Sequence, residues 1–252
     1  MRLTLEGKRA LVTGGSRGIG RAICLLFGRL GAQVAVAYAR DRAAAEETVE
    51  GIRGAGSDAF ALLADLSDPA AGTRLVEAAA ARLGGLDAVV VNHGIWKRAP
   101  IESMTLEQWR ETLSTNLDAA YAVCSAAARV LISQRSGTIV LVASTAGQRG
   151  EAHHAHYAAS KGALLAFTRS LAAELAPHGV RVNCVSPGWV LTDMSRAALQ
   201  GAEAAGPTDK IPLGRPGTPE EIAGPVAFLA SDLSSYVYGE VLCVNGGAVM
   251  AG

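Results

Sequence analysis

Short apolar runs alternate along the chain with longer stretches in which apolar residues recur every three or four positions. Short runs bounded by turn residues are typical of strands buried on both faces, and the longer period is typical of helices. The pattern predicts seven strands, at 8–13, 33–38, 59–63, 86–91, 137–142, 181–185 and 240–244. It predicts helices between them, at 17–30, 42–54, 67–83, 106–134, 155–176 and 219–230.

This alternation predicts an α/β fold, with a single domain over residues 1–252. We expect a Rossmann-like, doubly wound, seven-stranded parallel sheet with helices on both faces, because each helix carries the chain back to the next parallel strand. One segment, at about 189–217, breaks the rhythm and is rich in Gly, Pro and Ala. A long irregular segment in a compact domain usually has a function, so we expect a lid over the substrate.

The amino-acid composition narrows the classes of protein to which the chain can belong. Lys plus Arg equals Asp plus Glu, at 23 each, which offers no electrostatic case for binding nucleic acid or an anionic membrane. The four cysteines are widely spaced and form no CxxC pair, which argues against a disulfide framework and a zinc site. The first six residues lack the apolar core of a signal peptide, and no apolar run reaches membrane-spanning length. We therefore expect a soluble cytoplasmic protein with reduced thiols.

A glycine-rich turn follows the first predicted strand, in the segment Thr13-Gly14-Gly15-Ser16-Arg17-Gly18-Ile19-Gly20. Glycines at 14, 18 and 20 let the backbone turn tightly and approach a ligand closely. The helix that follows offers free N–H groups and the positive end of its dipole to a phosphate. The turn therefore predicts a dinucleotide site, with an ordinary glycine-rich turn as the alternative.

The end of the second predicted strand indicates which dinucleotide is bound. Sites specific for NAD carry an acid there to bind the ribose hydroxyls, whereas this strand ends in Tyr38-Ala39-Arg40. Arg17 and Arg40 flank the expected position of a 2′-phosphate, which a guanidinium would pair with, so we predict NADP(H). The alternative is that both arginines are simply solvated. Asp65, after the third strand, is placed to bind the adenine amino group or to cap a helix.

Three residues predict acid–base chemistry on a carbonyl or alcohol. Tyr157 and Lys161 are four apart, which puts both on one helix face, and a nearby ammonium is expected to lower the pKa of the phenol. Ser144 ends the fifth strand, where its hydroxyl can hold a substrate carbonyl oxygen. Asn116 lies inside a predicted helix, where Asn is unfavourable, and is either an exposed or capping residue or a group that holds a water chain to Lys161.

Together these motifs make the chain resemble the short-chain dehydrogenase/reductase family, within its 3-oxoacyl-carrier-protein reductase-like branch, over nearly the whole length. Residues 13–20 fit the TGxxxGxG cofactor motif, and 187–192 fit the loop that binds the nicotinamide carboxamide. The segments 215–223 and 244–247 resemble the C-terminal half of that branch. The catalytic tetrad implied by the resemblance is Asn116, Ser144, Tyr157 and Lys161.

The resemblance also implies a set of residues that contact NADP(H). They lie at the glycine turn, at the ends of strands and in the 187–192 loop, and are Gly14, Ser16, Arg17, Gly18, Ile19, Gly20, Tyr38, Arg40, Asp65, Leu66, Asn92, Gly94, Tyr157, Lys161, Pro187, Gly188, Val190 and Thr192.

The implied activity is reduction of a ketone, or the reverse oxidation, with Tyr157 as the acid or base. A 3-oxoacyl group on an acyl carrier is the first expected substrate, and a sugar, polyol, steroid or xenobiotic alcohol is the alternative. A catalytically silent dinucleotide sensor is the alternative of another class, although such a protein is expected to have lost Tyr157 or Lys161. The resemblance further implies a homotetramer.

One motif departs from the family pattern, and one cluster suggests the substrate. The usual Asn-Asn-Ala-Gly is here Val91-Asn92-His93-Gly94, and we expect His93 to be a tolerated substitution rather than a proton relay. A second set of residues lies beside the predicted catalytic and cofactor loops, where we expect it to border the substrate: Trp96, His153, His154 and Trp189. Either Trp could instead belong to the core. We expect the histidines to bind no metal, since no acid or Cys is spaced to join them.

Overall fold

A computed structural model of the protein describes residues 2–68, 70–200 and 208–250. Its seven strands form one sheet in the order β3-β2-β1-β4-β5-β6-β7, and every neighbouring pair is parallel. The strands are β1 Arg9–Val12, β2 Gln33–Tyr38, β3 Ala59–Leu63, β4 Ala88–Val91, β5 Gly137–Val142, β6 Val180–Pro187 and β7 Val241–Val244.

Helices connect these strands and cover both faces of the sheet. They are α1 Gly18–Arg29, α2 Arg42–Gly54, α3 Ala70–Leu83, α4 Leu106–Leu113, α5 Ala119–Gln134, α6 Ala146–Arg149, α7 Ala155–Leu175, α8 Arg196–Gln200 and α9 Pro219–Ala230. A π-helix, Ser114–Asp118, joins α4 to α5. None of the helices in the described residues is long and apolar enough to cross a membrane.

The core is divided by the sheet into two apolar clusters. One packs α3, α5 and α7 on one face, with buried side chains such as Val123 and Leu164. The other packs α1, α2 and α9 on the opposite face, with Phe27 and Ile222 at its centre. The predicted doubly wound, seven-stranded parallel fold is therefore confirmed.

Several predicted bounds differ from the structure for local reasons. The helix predicted over 106–134 is interrupted by the π-helix, which its apolar period does not reveal. The sixth strand extends to Pro187 instead of ending at 185, because its whole length is buried. The short helix α6 was not predicted, and residues 201–207 of the predicted lid lie outside the described residues.

The site is positioned by the point where the chain changes direction in the sheet. From β1 the chain winds outward through β2 to β3, and it then returns to β4 on the other side of β1. Loops that follow β1 and β4 therefore separate at their carboxyl ends, which is where ligands bind in open α/β sheets. The Thr13 hydroxyl joins these loops by accepting the N–H groups of Asn92 and His93, at 2.9 and 3.2 Å.

Arg181 gives a test of the packing between β6 and the segment after α9. Its buried guanidinium donates to the carbonyl oxygens of Leu229 and Ser231, at 2.8 and 3.1 Å. Arg181→Met should lower the free energy of unfolding by about 2–4 kcal/mol, because the acceptors lose their donor while the side-chain volume is kept. Urea unfolding at fixed protein concentration measures this. The control Arg21→Met, at an exposed position of α1, should stay within about 0.5 kcal/mol, and equal losses would contradict the assignment.

Candidate active site

A cavity of about 550 Å³ opens at the carboxyl ends of the central strands. This volume suits a small-molecule or cofactor site. Its lining includes most of the residues predicted to contact a cofactor: Gly14, Ser16, Arg17, Gly18, Ile19, Tyr38, Arg40, Asp65, Leu66, Asn92, Gly94, Tyr157, Lys161, Pro187, Gly188, Val190 and Thr192. The remaining one, Gly20, is buried beneath the turn, where an added Cβ would overlap the Gly14 carbonyl oxygen.

The glycine turn forms one wall of the cavity. Gly14 and Gly18 have φ angles of +65° and +52°, which disfavour residues with a side chain. An added Cβ at Gly18 would lie 3.4 Å from Thr192 Cγ2, so the turn directly faces the 187–195 segment. The turn leads into the N-terminus of α1, whose free N–H groups suit a phosphate.

The end of β2 supplies the positively charged part of the lining. Arg17 and Arg40 are both exposed, and Tyr38, the last residue of β2, is buried. Asp41, which also lines the cavity, accepts the Ala44 N–H at 3.0 Å and so caps α2.

Asp65 combines a local role with a place in the lining. Its Oδ1 accepts the Ser67 N–H at 3.0 Å. Hydrogen bonds from Ser67 hold the pKa of this carboxyl below its usual range, and the charge of Arg40 adds to the effect. The alternative that Asp65 caps a helix is wrong, because α3 starts at Ala70 and the Ala70 N–H is accepted by Asp68 Oδ1 at 3.0 Å. Asp65 instead closes a turn ahead of the helix and lines the cavity.

Ser144, Tyr157 and Lys161 lie together at another part of the cavity. Ser144 follows β5, and its Oγ accepts the Ala146 N–H at 3.1 Å. Tyr157 and Lys161 extend from the first turns of α7, with the Lys161 ammonium 5.9 Å from the Tyr157 ring centre. The ammonium is buried and donates to the Val142 carbonyl oxygen at 2.9 Å.

The electrostatics of this pair differ from the sequence-based expectation. Burial raises the pKa of Tyr157 to about 12; a hydrogen bond with Ser144 lowers it, and the charge of Glu151 raises it further. Burial lowers the pKa of Lys161 to about 8. The expected lowering of the Tyr157 pKa is thus wrong for the protein chain itself, because burial raises this pKa more than the hydrogen bond with Ser144 lowers it.

Asn116 lies in the π-helix and outside the cavity lining. Its side chain is buried and pairs with the backbone of Ile95: Oδ1 accepts the N–H at 2.8 Å, and Nδ2 donates to the carbonyl at 2.9 Å. Nδ2 also donates to Ser160 Oγ at 3.2 Å. Asn116 therefore joins α7 to the loop after β4. An added Cβ at Gly94 would lie 3.1 Å from Asn116 Oδ1 and 3.5 Å from Lys161 Nζ. The absence of a side chain at Gly94 therefore lets Asn116 and Lys161 lie close to the backbone of the loop after β4.

The four residues expected to border the substrate take different positions. Trp96 and Trp189 line the cavity and meet edge to face, with ring centres 5.8 Å apart. His154 lies behind Trp96 and stacks on it at 4.3 Å, outside the lining. His153 is exposed, with a φ of +63°, and is also outside the lining. Within the described residues, no three His, Cys, Asp or Glu side chains form a group able to hold a metal.

His93, the departure from the family pattern, is one of the residues that line the cavity. Its Nδ1 lies 2.9 Å from Thr13 Oγ1. Burial, with the charge of Lys161, lowers the pKa of His93 to about 3. A neutral imidazole held in this way suits a packing role.

Several lining residues were not predicted from the sequence. They carry charge or bulk and include Lys97, Glu111, Arg149 and Glu151, together with Asp193 and Met194 of the predicted lid segment. Lys97 pairs with Glu111 at 2.6 Å, and Asp193 pairs with Arg196 at 2.8 Å. No local motif marks them, although Glu151 lies between Ser144 and Tyr157 in the sequence.

Comparison with known proteins gives matches over the whole fold. The family model described as enoyl-(acyl carrier protein) reductase matches residues 14–249. The 3-oxoacyl-(acyl-carrier-protein) reductase FabG of Escherichia coli (strain K12) is 40% identical over 249 residues, which cover 98% of this chain and 100% of that protein.

Solved structures of proteins with similar sequences also match the fold of this chain over nearly its whole length. A short chain dehydrogenase from Burkholderia cenocepacia J2315, in complex with NADP, has a TM-score of 0.91 at 38% identity, covering 97% of this chain and 98% of that one. A short-chain type dehydrogenase/reductase from Mycobacterium marinum has a TM-score of 0.92 at 37% identity, covering 99% of this chain and 98% of that one.

The electrostatic contact between Glu151 and Tyr157 can be tested directly. Glu151→Gln should move the Tyr157 titration to lower pH, because the carboxylate that opposes the phenolate charge is removed. Tyrosinate absorbance measures this titration. For each protein, the curve of the same protein carrying Tyr157→Phe is subtracted as the background, which leaves the signal of Tyr157. The exposed control Glu77→Gln should leave the Tyr157 titration in place. An unchanged or higher midpoint in Glu151→Gln would show that the two groups do not interact.

Proposed function

The chain belongs to the short-chain dehydrogenase/reductase family of oxidoreductases, and from this premise we propose that it interconverts a ketone and a secondary alcohol with NADP(H). The observation that carries the proposal is the shared cavity. Ser144, Tyr157 and Lys161 lie in one part of it, and the glycine turn with Arg40 lies in another. A ligand with phosphates and a reactive ring fits this arrangement.

Tyr157 is the proposed proton donor in reduction. With its pKa raised to about 12, the phenol is protonated at neutral pH and can pass its proton to a substrate carbonyl oxygen. Ser144 Oγ would hold the same oxygen through a hydrogen bond. When bound, NADPH would supply the hydride that the carbonyl carbon receives.

Lys161 and Asn116 support this step in different ways. The Lys161 ammonium, with a pKa of about 8, lies beside Gly94, where it would bind cofactor hydroxyls and replace the proton of Tyr157. Asn116 is a positioning residue, because its amide holds the Ile95 backbone and Ser160 and so orients α7.

A preference for NADP(H) is supported by the two exposed guanidinium groups in the lining. Arg17 and Arg40 suit a 2′-phosphate, while Asp41, the acid closest in sequence to the end of β2, is engaged in capping α2. Short-chain dehydrogenase structures similar to this chain contain NADP.

The first proposed substrate is a 3-oxoacyl group on an acyl carrier, on the strength of the FabG relative. A hydroxylated small-molecule ketone is the second, and it is favoured by the Glu151 carboxylate in the lining. A silent dinucleotide sensor is less favoured, because Tyr157 and Lys161 are both present and both reach the cavity.

The family also supports a proposed assembly and compartment. We propose a cytoplasmic homotetramer that pairs through α5 with α7 and, at a second interface, through α9 with β7. Tyr121 on α5 is 60% exposed beside Phe167 of α7, which suits a protein interface. All four cysteines are free, as a reducing compartment would keep them. Within the proposed lid, Met194 and Ser195 line the cavity.

Tyr157→Phe tests the proposed acid. It should lower kcat by about 10²–10⁴-fold, because the phenyl ring keeps the packing but has no proton to transfer. Turnover of a panel of 3-oxoacyl thioesters, ketones and alcohols, followed by NADPH absorbance, measures the loss. NADPH affinity, measured by calorimetry, should stay within a few-fold of the wild type. Tyr236→Phe, at a residue that is 99% exposed, is the matched control, and full activity in Tyr157→Phe would reject the assignment.

Arg40→Ala tests the cofactor preference. It should weaken NADPH binding by about tenfold or more and NADH binding much less, because only NADPH carries the phosphate that the guanidinium would pair with. Calorimetric Kd values for both cofactors measure the difference. Arg42→Ala, two residues away and paired with Glu46, is the control and should change neither Kd appreciably. Equal weakening of both cofactors by Arg40→Ala would count against the phosphate contact.

A further inference from the structure

Glu151 is a sheltered carboxylate in the part of the cavity that faces Tyr157. Its side chain is 16% exposed and lines the cavity. The Trp96 indole N–H donates to Oε2 at 3.2 Å, which fixes the carboxylate against the ring. Glu151 raises the pKa of Tyr157, so its charge is felt at the phenol.

The carboxylate keeps acceptor capacity for a ligand. An ionised carboxylate has about four acceptor positions, and in the described part of the chain the Trp96 indole is its one hydrogen-bond donor. His154 Nδ1 lies 3.9 Å from Oε1 and closer to the Ala152 carbonyl oxygen, at 3.0 Å. The remaining lone pairs of Glu151 are therefore available at the cavity.

Apart from Glu151, the charged lining residues that the sequence did not predict are paired or exposed. Lys97 is held by Glu111 at 2.6 Å, and Asp193 is held by Arg196 at 2.8 Å. Arg149 is exposed, so solvent and salt screen it more than they screen Glu151. The buried Lys161 ammonium, which also lines the cavity, donates to the Val142 carbonyl oxygen at 2.9 Å. A substrate substituent that lies beside Trp96 therefore meets the Glu151 carboxylate as its sheltered charged neighbour.

The neighbouring aromatic rings give this carboxylate a flat apolar border. Trp96 is stacked on His154 with the two rings 6° from parallel, which fixes the plane of the indole. Trp189 meets it at 88°, so the two indoles form a corner. Such a corner suits the carbon skeleton of a compact or cyclic substrate.

We propose that Glu151 is a specificity-determining residue, which selects ketones that carry a hydroxyl or ammonium donor and rejects ketones that carry a carboxylate. The donor binds Oε1 of Glu151, and the carbon skeleton lies against Trp96 and Trp189. This inference rests on the proposed function, because it takes Tyr157 as the group that meets the ketone oxygen.

A single ring, either unsubstituted or carrying one of three substituents, tests the inference. The series is cyclohexanone, 4-hydroxycyclohexanone, 4-aminocyclohexanone and 4-oxocyclohexanecarboxylate, assayed for kcat/KM with NADPH at neutral pH. In the wild type the ammonium and hydroxyl compounds should exceed the carboxylate by about tenfold or more, as expected for one charge acting at short range near a protein surface.

Glu151→Gln should reduce this discrimination to within about threefold, because the amide keeps an acceptor for the Trp96 indole but has no charge. Glu151→Asp keeps the charge and should retain most of the discrimination. Glu77→Gln removes an equivalent charge from the exposed face of α3 and should retain all of it. Because ratios between substrates are compared, a general change in turnover, such as one caused through Tyr157, cancels.

The affinity for each compound of the series can also be measured by Trp fluorescence, which does not require turnover. All proteins in this measurement carry Trp109→Phe, so the fluorescence comes from Trp96 and Trp189 at the cavity. If cyclohexanone is reduced, and wild type and Glu151→Gln show the same preference among the charged compounds, the proposed function stands and the Glu151 assignment is overturned. A different result is that the protein binds the series in the predicted charge order, loses this order in Glu151→Gln and reduces none of the compounds. That result would support the Glu151 assignment and overturn the proposed function. A protein that neither reduces nor binds the series, or a wild type that prefers the carboxylate, would overturn the assignment.

Discussion

The parallel pairing of β1 with β4 is the constraint on which the rest of the structure depends. The order of strands reverses at this pair, so the loops that follow the two strands separate and leave a crevice between them. The Thr13 hydroxyl and the Asn92 amide close its floor, since Asn92 Nδ2 donates to the Thr13 carbonyl at 3.2 Å. Gly20 lets α1 begin directly against this floor, and the cavity opens above it.

Burial is the dominant influence on the reacting groups, and it acts on them in opposite directions. It raises the pKa of the Tyr157 phenol and lowers that of the Lys161 ammonium, since the charged form is disfavoured in each case. Glu151 adds to the effect on Tyr157 and does so from the substrate side of the cavity. The Glu151 carboxylate thus links the protonation of Tyr157, the proposed acid, to the charge of a substrate bound beside Glu151.

The sequence predicted this site unevenly, and the reason is physical. Gly14, Ser144, Tyr157 and Lys161 carry motifs because their roles depend on local spacing: a turn, a strand end and one face of a helix. Asn116 could be suspected only because Asn is unfavourable inside a helix; that it lies in a π-helix and holds the Ile95 backbone depends on contacts 21 residues away along the chain.

By itself the sequence determined the element order, the parallel fold, the glycine turn and the spacing of the proposed catalytic residues. These follow from periodicity and from residues close together in the chain. The tertiary structure alone decided the raised pKa of Tyr157, the position of His154 behind Trp96 rather than at the cavity, and the presence of Glu151 in the lining. Each of these depends on burial or on groups that meet only after folding, where desolvation and short-range charge outweigh what spacing predicts.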